Sequence, residues 1–154
     1  MSTSEIPAVP GTSEAPVAVD AAGLEILSRE ACLRALAQGG LGRIAINVGA
    51  LPRILPVRFV LDGEDVVVRV RQGSTLHAAT DGTVVAFEAD QLRPDTGWSI
   101  SFVGVARHLD EGRAVSPAVQ LALPRWGSDR AHRLVAISTD QLSGRRLPGH
   151  GDGL

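Results

Sequence analysis

The sequence predicts a mainly β protein: a six-stranded antiparallel barrel with a few short helices. Three observations carry this expectation. From residue 42 onward, β-branched and apolar residues recur with period two in run after run. The runs are joined by short segments of Gly, Pro, Asp and Asn, which suits hairpins better than crossovers. The helical stretches are too few to cover both faces of a parallel sheet, which leaves a closed antiparallel sheet as the way to bury the apolar face.

Taken in order, residues 1–23 are rich in Ser, Pro, Ala and Glu without an apolar period, and are expected to be a disordered tail. "LSREACLRALAQGG" follows as a short amphipathic helix. Ser28 is its N-cap, Glu30 lies in its first turn, Cys32, Leu33, Leu36 and Ala37 share a face, and Gly39-Gly40 is the stop. The strands are "GRIAINV", "RILPVRFVLD", "DVVVRVR", "TVVAFEADQL", "WSISFVGVARHL" and "HRLVAISTDQL". Asp62-Gly63 between the second and third is the strongest hairpin signal. "STLHAAT" is a helical turn after the third strand, and "SPAVQLALP" is another, with Ser116 as cap and Pro117 in the first helical position. The end of the chain reads as polar, with residues 148–154 a flexible tail, so the folded domain is expected over 24–147.

A length of 154 residues suits one domain, and no apolar run approaches the roughly 18 residues that span a bilayer. The N-terminus lacks a basic start and an apolar centre, so a cytoplasmic location without membrane attachment is expected. The single cysteine excludes an internal disulfide. All 15 basic residues are arginine, yet the net charge is −2, which argues against nucleic acid as a partner and confines any anion site to a local cluster.

Candidate chemistry is sparse. Alternation places Val66, Val68 and Val70 in the core and Val67, Arg69 and Arg71 on the opposite face. Those arginines read either as solvated side chains covering apolar neighbours or, with Arg53 and Arg58 on the preceding strand, as one wall of an anion site. Gly73-Ser74-Thr75 ends a strand and starts a helix, a pattern that fits a phosphate and fits an ordinary capped helix equally. Trp98 either plugs a barrel end or stacks on a planar ligand. The histidines at 77, 108, 132 and 150 lack metal-ligand spacing, so no metal is expected. Cys32, on an apolar helix face, reads as core, and Glu88 and Asp90 as structural partners of arginines. No Gly-x-Ser-x-Gly elbow, P-loop or Gly-x-Gly-x-x-Gly run occurs.

The runs "GRIAINVGALPRILPVRFVLDGEDVVVRVRQGSTL", "VVAFEAD" and "GWSISFVGVAR", in that order, resemble the pyridoxamine 5′-phosphate oxidase-like flavin-binding split-barrel family over about residues 24–147. The resemblance implies a six-stranded split barrel that forms a homodimer with FMN in clefts at the subunit interface. It implies that Arg53, Pro56, Val57 and Arg58 lie on the strand meeting the flavin and that Arg69 and Val70 lie at the neighbouring strand end, with Arg58, Arg69 or Arg71 as the cation for the phosphate. Ser74 and Thr75 would form the phosphate loop, Trp98 and Ser99 would reach the ring, and Arg145 would belong to the C-terminal segment that closes over it. Thr75-Leu76 stands where many relatives carry a cation, and Ser99 where the true oxidases carry glutamine, so pyridoxamine phosphate is not the expected substrate. The activity implied is hydride transfer between a reduced donor and a small organic molecule, with no acid or base side chain required. A deazaflavin coenzyme in place of FMN, and a non-catalytic flavin carrier, are the alternatives. A cyclic-dinucleotide sensor would need paired arginines and a D/N-x-S-x-x-G strand that the sequence lacks.

Overall fold

The computed structural model describes residues 16–109, 116–123 and 131–149. In chain order the elements are β1 (Ile26–Leu27), α1 (Arg29–Leu36), β2 (Gly40–Val48), β3 (Leu51–Asp62), β4 (Asp65–Arg71) and α2 (Thr75–Ala78). They continue as β5 (Thr83–Leu92), β6 (Thr96–His108), α3 (Pro117–Ala122), β7 (His132–Ile137) and β8 (Gln141–Pro148). Ser28 and Ser116 cap their helices as the sequence predicts, and Ser74 rather than Thr75 caps α2, each hydroxyl accepting a backbone N–H from within the first turn.

The antiparallel ladder runs β6-β5-β2-β3-β4-β7 and closes by pairing β7 with the C-terminal end of β6, Ala106 opposite Ile137. This is the expected six-stranded barrel. Two tight links pin its register: Gly49 at φ +60° turns β2 into β3, and Gly63 at φ +62° turns β3 into β4 with Asp62 opposite Asp65. Inward side chains, among them Ile44, Val57, Phe59, Val68, Phe87, Ile100 and Phe102, fill one core, and Cys32 and Leu36 of α1 belong to it. Burial pushes the Cys32 thiol up from its ordinary value, as expected of a core cysteine.

The sixth strand of the sequence reading is in fact two. After Ile137 the chain leaves the barrel wall, and β8 returns along the N-terminal half of β6, Ser101 opposite Ser143 and Trp98 opposite Arg146. Buried Thr139 fixes the break: its hydroxyl donates to the Glu64 carbonyl at 2.6 Å, and the Arg29 guanidinium donates to its carbonyl at 2.6 Å. The polar stretch "GRRLP" is therefore strand, held by backbone pairing rather than by an apolar face. Gly144 in it lies against α1, where a Cβ would overlap Cys32 Sγ.

Residues 1–15 of the expected N-terminal tail, and 150–154 of the C-terminal one, lie outside the described residues. Nearer the barrel, Val19 bridges to Glu25, and the Asp20 carboxylate accepts from the Ala22 and Leu24 amides and from Arg145. Those bonds, that from Arg145 foremost, hold the Asp20 carboxyl below its ordinary value.

The outer face of β4 differs from a solvated sheet. Val67 is buried beneath Val119 and Leu123 of the α3 segment, in a second small cluster with Leu134 and Ala136 of β7. Among the described residues no helix is long and apolar enough to cross a membrane, and no cluster of His, Cys, Asp or Glu is placed to hold a metal.

Candidate cofactor site in the β3–β4 cleft

The β3–β4 ladder pairs Phe59–Asp62 with Asp65–Val68 and stops there. Beyond that point a cleft of about 510 Å³ lies between the two strands. Pro56, Val57 and Arg58 line it from β3; Arg69, Val70 and Arg71 line it from β4. The volume falls in the range of small-molecule sites, about 300–1,000 Å³. Leu41, Leu76 and Leu123 supply apolar wall, and His132 completes it.

Six of the twelve residues singled out in the sequence thus meet in one place. Arg58 and Arg71 are exposed on the strands that flank the cleft. Arg69 is turned toward α3: its Nε donates to the Leu123 carbonyl at 2.7 Å and a terminal nitrogen donates to Gln120 Oε1 at 3.0 Å. It therefore satisfies one backbone carbonyl at the end of α3 and one side-chain amide oxygen of that helix, a structural task beside any it has toward a ligand.

The remaining six stand elsewhere. Arg53 is exposed and opposite Ile46, five residues up β3 from Arg58, about 16 Å away in an extended strand. Ser74 accepts from the His77 amide at 3.1 Å as the cap of α2, while Thr75 begins that helix and is exposed. His77 Nδ1 in turn accepts from the Gly73 amide at 3.2 Å, which ties the loop to the helix. Trp98 borders a separate hollow of about 240 Å³ with Leu27, Arg34 and Arg146. Ser99 lies opposite Arg145, whose Nε donates to Asp20 at 2.8 Å.

The sequence does not point to Leu41, Leu123 or His132 as site residues, and marks Leu76 only as part of the pair that stands where relatives carry a cation. In the sequence His132 is a histidine without metal-ligand spacing. What places it is the β4–β7 register, in which it is the cross-strand partner of Arg71.

A second surface adjoins the site. On the outer face, Ile54, Ala45, Ala86 and Val103 stand in register across β3, β2, β5 and β6, with Val84 and Val105 beside them. Ile54 is 71% exposed, Val84 63% and Val103 45%, more apolar surface in one belt than scattered side chains explain. Next to the belt, burial and the neighbouring Asp90 carboxylate push Glu88 above its ordinary value, and Arg43 at 3.4 Å offsets them only in part. The folded protein therefore holds this proton more tightly than the unfolded chain. The ionised group costs stability at neutral pH, and the cost disappears as pH falls through the folded pKa. Glu88→Gln is expected to raise the urea midpoint at pH 7 and to leave it unchanged below about pH 4, where the carboxyl is protonated in both states. A lower midpoint at pH 7 would mean that the Arg43 pairing outweighs the burial.

A model of the pyridoxamine 5′-phosphate oxidase family matches residues 28–146. No curated protein matches. Among solved structures, a FAD-binding protein from Mycobacterium smegmatis is 29% identical, with a TM-score of 0.63 over 80% of this chain and 98% of its own. A protein of unknown function from Corynebacterium diphtheriae is 24% identical, with a TM-score of 0.64 over 81% and 98% of the two chains. A FAD-binding protein from Mesorhizobium loti is 16% identical, with a TM-score of 0.63 over 80% and 96%, a likeness of fold. With the barrel closed as expected and the family model spanning most of it, the chain belongs to the pyridoxamine 5′-phosphate oxidase family of flavin-binding split barrels.

Proposed function

We propose that this protein is a flavin-dependent oxidoreductase that binds its cofactor in the β3–β4 cleft and works as a homodimer on a small organic substrate. The observation that carries the reading is the convergence of Arg58, Arg69 and Arg71 on one cleft with an apolar wall, in a protein whose net charge is −2. Guanidiniums concentrated against that balance suit a phosphate-bearing ligand. The cleft residues fit a flavin nucleotide: the arginines would hold the phosphate end, while Leu41, Val57 and Leu76 would exclude water from the apolar ring.

A flavin supplies hydride or electron transfer by its own ring chemistry. The chain's part is to bind and orient it. FMN is the form expected from the sequence; the M. smegmatis relative is a FAD-binding protein, and several guanidiniums along one cleft also suit a second phosphate. The homodimer rests on two features. The apolar belt around Ile54 and Val103 has the character of an interface core. Trp98, Ser99 and Arg145 lie outside the cleft of their own protomer, so they would serve the site only from the partner.

The test is titration of the purified, light-scattering-sized protein with FMN, FAD and a deazaflavin, followed by anaerobic addition of a nicotinamide donor. Binding of a flavin to a dimer and its reduction are the expected results. A protein that binds none of the three is not an enzyme of this type, and binding without reduction by any donor leaves a carrier.

A further inference from the structure

We propose that His132 is a ligand-binding residue of the β3–β4 cleft, donating from Nε2 to a phosphate oxygen of the bound cofactor alongside Arg71. This rests on reading the cleft as the flavin site. His132 lines the cleft, and its Nε2 is buried without a hydrogen-bond partner, the one such side-chain atom among the described residues. A buried polar atom left without a partner costs about 1–3 kcal/mol, and folded proteins retain such groups where a ligand completes them.

The side chain is directed by pairing, not by a loop. His132 is opposite Arg71 on the β4–β7 ladder, and directly opposed residues of an antiparallel pair share a face. Imidazole and guanidinium therefore stand side by side on the outer face, two residues beyond the pair Arg69 and Leu134. Arg69 is engaged with Leu123 and Gln120, so His132 is the neighbour best placed to share a ligand with Arg71. The other polar side chains of the cleft are guanidiniums, which only donate, so the ligand atoms facing them are acceptors. A nitrogen among them serves that ligand as an N–H donor.

The inference predicts opposite effects on binding and on stability. In His132→Leu the orphan nitrogen is gone, so the cofactor-free protein should melt about 2–5 °C higher while its flavin affinity falls about tenfold. His132→Gln, which keeps a donor, should retain most of the affinity. A merely structural histidine would give the reverse: lower melting temperature and unchanged affinity. If wild type binds FMN or FAD and His132→Leu binds it equally well, the assignment of His132 fails while the flavin reading stands. If His132→Leu does not fold, equal loss of affinity in His132→Gln and in His132→Ala overturns the donor role. If wild type binds no flavin, the flavin reading fails by itself, and the same comparison is made with inorganic pyrophosphate. Pyrophosphate affinity unaffected by the substitution, or no pyrophosphate binding at all, then overturns the role of His132.

Discussion

Gly104→Ala is expected to abolish the cooperative fold or to lower its stability by about 3 kcal/mol or more, the upper end of overpacking costs, out of a total of about 5–15 kcal/mol. Gly104 lies where β6 changes partners, between its pairing with β8 through Val103 and with β7 through Ala106. A Cβ there would overlap the backbone carbonyl oxygen of Ser138. No rotamer change can relieve a backbone clash. Ser138 is also fixed from both sides, its hydroxyl accepting from the Val105 amide at 3.0 Å and its amide donating to the Val105 carbonyl at 3.2 Å. Moving it would open the seam that closes the barrel. Urea unfolding followed by circular dichroism reads the effect, with Gly63→Asn as the contrast: nothing lies near a Cβ at residue 63, and asparagine tolerates its positive φ. Equal midpoints for Gly104→Ala and wild type would show that the seam can yield.

The second large effect is on binding. Arg58→Ala with Arg71→Ala should weaken flavin affinity by about 100-fold or more, since each charge-assisted hydrogen bond contributes about 1.5–3 kcal/mol and about 1.4 kcal/mol corresponds to tenfold. Both residues are exposed on the strands that flank the cleft, and among the described residues the Arg71 guanidinium makes no hydrogen bond or ion pair within the chain. Removal of Arg71 should cost little folding stability. Arg69→Ala should behave differently: its guanidinium holds the Leu123 carbonyl and Gln120, so its loss should loosen α3 and lower stability. Fluorescence titration of FMN and FAD against the two variants separates these outcomes. Undiminished affinity in the double variant would move the phosphate away from the cleft.

Much of this protein was legible locally. Period-two alternation identified all the barrel strands because each has one face in the core, and Asp62-Gly63 and the three serine caps are signals that act over a few residues. The strand β8 was not legible, because its stability comes from backbone pairing with β6 while its side chains show no apolar face. The arginines were recognised as a possible anion site, but their division of labour was not: packing against α3 distinguishes Arg69 from Arg71, and Arg145 is taken up in part by Asp20, 125 residues away in sequence.

The sequence by itself determined that alternating strands would close into a barrel, where its helices start, and that any anion site would be local and made of arginine. Tertiary structure decided which residues share that site. The cleft exists because the β3–β4 ladder ends at Phe59 and Val68, and His132 joins Arg71 because β7 pairs with β4 across more than sixty residues of chain. Such register is set by the closure of the whole sheet, a condition that no local stretch of sequence contains.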